Sequence, residues 1–232
     1  MQSTLDIYKD RIDEIELYFS AIAQLYEKLP LSGREEIIPD FYSDNFLKML
    51  KANALLMIYN LVESSIMGGI LEIYDDMKSS GYSYNDVRKE IGDIWFSFKF
   101  SQVYDKTAHY NSYREKAAEI VTAVLDREII ELNRKATDIS GNLDAEKIRQ
   151  ICKDHGITYM MNNDCRGGIA LEDVKNKRNN LAHGTISFVE CGREYSIESL
   201  ASIKDETILF LNCILDGMKT YYDEKNYLFS AI

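Results

Sequence analysis

Residues 171 to 188, LEDVKNKRNNLAHGTISF, hold the side chains best suited to chemistry. Placed on a helix at about 100° per residue from Leu171, Val174 and Leu181 fall near 300° and 280° and Ala182 near 20°. These three and Leu171 form one apolar stripe, and Arg178 falls inside it, near 340°. A guanidinium in such a place needs a carboxylate, a carbonyl or a phosphate. Arg178 is thus either a buried structural tie or one lip of an anion site. On the neighbouring face Lys175, Asn179 and His183 follow at four-residue steps. Asn179 can then hydrogen-bond the His183 ring and select its tautomer. His183 stands at the helix end before Gly184, where the helix dipole favours a protonated imidazole. A titrating ring beside a permanent cation suits phosphodiester chemistry. The Arg holds a non-bridging oxygen, the His moves a proton, and no metal is required.

On an ideal helix Arg178 and His183 point about 140° apart. A second copy packed about a two-fold axis lets two such helices line one cleft, so the catalytic reading carries a homodimer with it. Against it stands the plain reading that an Arg and a helix-ending His at this spacing are structural.

The same segment resembles the HEPN superfamily. RNNLAH, residues 178 to 183, fits its R-x4-6-H signature, with a polar residue after the Arg. RNNLAHG, with NLDAEKIRQICKDHGI upstream, is similar to a bacterial family of HEPN-like nucleases of conflict systems. The resemblance implies an up-and-down helical bundle that dimerises with its motifs facing. It implies a metal-independent endoribonuclease, often a toxin or antiphage effector, that leaves a cyclic phosphate and a 5′-hydroxyl. By position Arg178 and His183 are the catalytic pair and Asn179 the supporting polar residue. Some HEPN toxins carry a Tyr two residues after the His as a site of silencing; here that residue is Thr185. Members without nuclease activity exist, so a non-catalytic interaction scaffold and a nucleotide-binding regulator remain alternatives.

Other residues bear on this site. Glu63 lies in an apolar stretch with Tyr59 and Met67 one turn away on either side; a carboxylate there wants a partner, and Arg178 is the obvious one, unless Glu63 faces a wet seam. Lys175 and Lys177 are the side chains placed to meet an RNA strand. From Asp144 to Arg178 there are seven basic and six acidic residues, in a chain of net charge −11. Weak local attraction suits a cleaver of an exposed RNA loop better than a general binder of DNA or of an anionic membrane. Cys152, His155 and Cys165 lack a fourth zinc ligand at a recognisable spacing. His109 sits in a polar linker. No P-loop, GxGxxG or nucleophile elbow occurs, so no cofactor is expected. The partners expected are RNA, a second copy and an antitoxin protein.

The elements that carry these residues read as helices. With 232 residues, 46% hydrophobic, and only 2 Pro and 12 Gly, the chain fits one helical domain over 1–232. Apolar spacing predicts a helix from Leu5 to Leu29, stopped by Pro30, and a connection over 31–42. Ser43 caps a second helix from Asp44 towards Lys78, apolar nearly all round from Ala54 to Leu71 and so the central buried element. Gly68-Gly69 marks a kink or a close approach. Ser83 and Asp86 precede a third helix; a Ser112–Glu115 capping box precedes a fourth, Ala117 to Arg134. A fifth runs from Asp144 to Asp154, a sixth from Ile169 to Ala182 and a last from Ile203 to Tyr222. Ile186 to Ile197, broken by Cys191-Gly192, reads as a β-hairpin. The expected fold is therefore all-α, an antiparallel bundle with a small β-hairpin appendage. The charged, periodic amino terminus is unlike a signal peptide, and the run Ala54 to Val62 is too short to cross a bilayer, which points to a cytoplasmic protein. Four Cys without a CxxC pair do not form a disulfide scaffold.

Overall fold

The computed structural model describes residues 1–28, 44–101, 110–137, 139 and 141–229. Their helices are α1 (Gln2–Lys28), α2 (Asp44–Ser79), α3 (Lys89–Ser101), α4 (Tyr110–Leu125), α5 (Ala145–His155), α6 (Ala170–Ala182), α7 (Phe188–Arg193) and α8 (Ile197–Asp223). The Pro30 stop, the 31–42 connection, the Ser43 cap and His109 lie outside the described residues.

A helix with no polar face must be surrounded by others. In α2, Leu55, Ile58, Leu61, Val62, Ile66, Ile70 and Ile73 are at most 1% exposed. Its apolar character extends past Ala54 to Val62. An 18-residue window reaches a mean hydropathy of 1.5, long and apolar enough to cross a bilayer, yet 61% of that window is buried inside the protein. The helix runs unbroken through Gly68-Gly69, where a Cβ on Gly69 would meet the Met218 sulfur at 2.7 Å. The glycine pair serves close packing, not a kink.

Side-chain contacts fix the helix directions. The Met1 ammonium meets Glu72 at 2.7 Å, and the Tyr18 hydroxyl donates to the Leu50 carbonyl at 2.9 Å, so α1 is antiparallel to α2. The Tyr8 hydroxyl donates to Asn212 at 2.8 Å, and Lys204 pairs with Glu16, so α1 is also antiparallel to α8. Lys51 bonds the Tyr195 carbonyl just before α8, and Asp76 binds Lys225 and Tyr227 just after it. The two central helices α2 and α8 therefore run the same way.

The fold is all-α, and the expected hairpin is absent. Ser187 caps α7 instead: its Oγ accepts the Glu190 N–H at 3.2 Å, and the Glu190 carboxylate accepts the Ser187 N–H at 2.9 Å. This reciprocal cap outweighs the strand-like alternation of the segment. Among the described residues the β content is two isolated bridges, Ser83 with Ile129 and Val87 with Leu228. A Cβ on Gly192 would come within 1.8 Å of the Lys48 carbonyl oxygen. Its glycine marks backbone contact between α7 and α2, not a turn.

Three boundaries also move. The fourth helix ends at Leu125, not Arg134, because Arg127 turns the chain at φ 53° and the Ile130 N–H joins the Tyr82 carbonyl at 2.8 Å. Ser112 and Glu115 lie inside it. The last helix begins at Ile197, where the Ser196 hydroxyl accepts the Ser199 N–H at 3.1 Å. Asp86 accepts the Ser83 N–H at 2.8 Å in a turn that precedes α3 without capping it.

Candidate functional site

Helix α6 buries most of the predicted stripe: Leu171, Val174 and Leu181 are 1%, 0% and 8% exposed, while Ala182 at the helix end is exposed. It ends where expected. Gly184 takes φ 68°, the Thr185 N–H reaches back to the Asn180 carbonyl at 2.9 Å, and the Gly184 N–H reaches Leu181 at 3.2 Å. Only a residue free of a Cβ adopts that left-handed cap cheaply.

Arg178 rises from this stripe onto α2. Its guanidinium lies over the Tyr59 ring at 4.7 Å from the centroid. Nη1 donates to the Gly141 carbonyl at 3.3 Å and to Asn179 Oδ1 at 3.0 Å. Nη2 lies 4.0 Å from Glu63 Oε2, and the side chain remains 30% exposed. The group is thus tied along one edge and open along part of the other. Ring, carbonyl and amide together fix its plane, and a cation fixed in advance needs little reorganisation to meet an anion.

Asn179 does not reach the His183 ring. Its amide nitrogen donates to Asn142 Oδ1 at 2.8 Å, and its oxygen is used by Arg178. The tautomer selection expected of it is therefore not made. His183 closes the helix as its C-terminal cap, its backbone N–H on the Asn179 carbonyl at 3.0 Å. Its ring is exposed and makes no side-chain hydrogen bond or ion pair among the described residues. Arg178, Asn179 and Glu63 are brought together; His183 stands apart from them within one chain.

The segment 141–144 completes the neighbourhood. The Leu143 N–H donates to the Tyr59 hydroxyl at 3.2 Å. Asp144 caps α5 through the Lys147 N–H at 2.8 Å and pairs with Lys175. Burial alone would raise the Asp144 pKa, but the Lys147 N–H and the Lys175 ammonium outweigh it and hold it below the ordinary carboxylate value. The same hydrogen bond to Asp144 raises the Lys175 pKa. Lys177 is likewise engaged, by Glu194, and only 16% exposed. Both lysines proposed to meet RNA thus already have carboxylate partners.

Sequence reasoning missed Arg134, Gly141 and Asn142. Arg134 donates to Glu63 Oε1 at 3.4 Å, from a turn far upstream of the motif with no periodic relation to it. Cys152 is buried, which pushes its thiol up to about 12, and both His155 ring nitrogens have protein partners, Tyr74 and the Ile151 carbonyl, each at 2.7 Å. Among the described residues no three His, Cys, Asp or Glu side chains gather in a way that could hold a metal.

No curated protein and no solved structure matches the chain. A family model of the HEPN type, HEPN_MAE_28990, matches residues 3–227. An all-helical chain, a motif helix ending in Arg178 to His183, and a match over nearly its whole length place this protein in the HEPN superfamily.

Proposed function

We propose that this protein is a metal-independent endoribonuclease that acts as a homodimer, with the two α6 helices lining one cleft. The observation that carries the reading is the contrast along α6: Arg178 is fixed in its plane by Tyr59, Gly141 and Asn179, while His183 is exposed and unpartnered at the helix end. The Arg of either copy would bind a non-bridging phosphate oxygen and stabilise the charge that develops on it. The His would take the proton of the ribose 2′-hydroxyl or give one to the leaving 5′-oxygen. The 2′-oxygen then bonds to phosphorus as the 5′-oxygen departs, leaving a 2′,3′-cyclic phosphate and a 5′-hydroxyl. Such an enzyme would act as a toxin or antiphage effector, kept in check by an antitoxin protein in the cytoplasm.

A second reading, a non-catalytic scaffold, is favoured by one observation. Arg178, Asn179 and Lys175 all bind the 141–144 segment, as side chains with a purely structural task would. Structured RNA incubated with the protein in EDTA decides between them, with solution mass measured in parallel. Cleavage that falls at least about 100-fold in His183→Ala and in Arg178→Ala supports the nuclease. Intact RNA with the unsubstituted protein supports the scaffold, and a monomeric mass removes the shared cleft.

A further inference from the structure

We propose that Arg134 is a second phosphate-binding cation beside Arg178, so that an RNA strand is held by a pair of guanidinium groups bracketing Glu63. The inference rests on the nuclease reading of the same site and adds a residue outside the R-x4-H motif.

Glu63 presents one carboxylate oxygen to each arginine: Oε1 to Arg134 at 3.4 Å and Oε2 to Arg178 at 4.0 Å. Both cations therefore neighbour the same carboxylate. The Arg178 Nη1 edge is taken by Gly141 and Asn179, so its Nη2 edge, beside Glu63, is the one left for a ligand. A phosphodiester carries two non-bridging oxygens, and guanidinium groups bind such oxygens through paired, charge-assisted hydrogen bonds.

The charges around this carboxylate do not balance. Two guanidinium groups face one carboxylate, and the adjacent Lys175 and Asp144 neutralise each other. One positive charge is left over, in a chain whose total is −11. That local surplus draws an anion to this place on an otherwise repelling molecule.

Arg134 is also anchored as a ligand-binding residue should be. Asn133 caps its 3₁₀ turn by accepting the Lys135 N–H at 2.9 Å, and the buried Thr137 hydroxyl donates to the Arg134 carbonyl at 2.8 Å. The backbone is held while the side chain is 66% exposed. An exposed ion pair as long as its contact with Glu63 adds little to stability, so exchanging that contact for a phosphate costs little.

The test uses the full chain and a 2′-O-methyl RNA oligonucleotide, which resists cleavage, with affinity measured across a salt series. Arg134→Ala should weaken binding about tenfold and reduce the slope of log affinity against log salt by about 0.7. Arg134→Lys should keep the slope, and Glu63→Gln should tighten binding, a change of opposite sign that a merely structural role would not produce. Unchanged affinity and slope in Arg134→Ala overturn the inference while leaving cleavage by Arg178 and His183 intact. Weaker binding by that variant sustains it even where the unsubstituted protein cleaves nothing, in which case only the nuclease reading falls. Failure of the unsubstituted protein to bind the oligonucleotide overturns the inference, and the nuclease reading is then decided by cleavage of structured RNA.

Discussion

Arg178 illustrates how far a residue's surroundings follow from its position on a helix. A guanidinium inside an apolar stripe demanded partners, and Glu63 was the one legible from sequence, since both charges interrupt apolar faces. The ring, carbonyl and amide that fix the Arg were not legible. Gly141 and Asn142 lie 37 residues upstream of their partners, and nothing in local spacing links them to α6. Tyr59 looked like one more core aromatic, although its hydroxyl accepts the Leu143 N–H and its ring carries the Arg. In Tyr59→Phe the ring stays and the acceptor goes, leaving a buried N–H unpaired. Urea unfolding should show a loss of about 1–3 kcal/mol, with RNA cleavage retained because the guanidinium keeps its support.

At the scale of elements, helices with a strong apolar pattern were read correctly and those decided by long-range contacts were not. The all-round apolarity of α2 announced the core, Asp144 the start of α5 and Gly184 the end of α6. The fourth helix was read too long because its true end depends on a backbone bond between Ile130 and Tyr82. The hairpin failed for a different reason. The Ser187–Glu190 spacing that caps α7 is present in the sequence, but the hairpin reading rested on the Cys191-Gly192 pair alone, and the contact that calls for Gly192 lies on another helix. Gly192→Ala should therefore push α7 away from Lys48 and cost roughly 3 kcal/mol. A fall in melting temperature with helical circular dichroism preserved at low temperature would record it.

For the molecule as a whole, α1 packs antiparallel to a parallel pair, an order that hydrophobic periodicity cannot specify because it is blind to direction. Below these helices His155 is sealed at 2% exposure, one nitrogen on the Tyr74 hydroxyl and the other on the Ile151 carbonyl, while Tyr221 donates to its carbonyl. Burial lowers its pKa beneath the ordinary 6.5. As pH drops below that value the unfolded chain takes up a proton that the folded chain refuses. Stability should thus be full above about pH 6.5 and decline as acid is added. Urea midpoints at pH 7.5 and 5.5 measure the slope, and His155→Gln should flatten it. The helix that ends in this histidine is capped by Asp144, and its eleven residues form a short strut between two distant places. One tip is wedged against the Tyr74 ring and the Tyr221 hydroxyl; the other, through Asp144 and Lys175, braces the motif helix that carries the arginine. Loosening the wedge slackens the brace, so damage deep in the interior would be felt first as a misaimed cation at the surface.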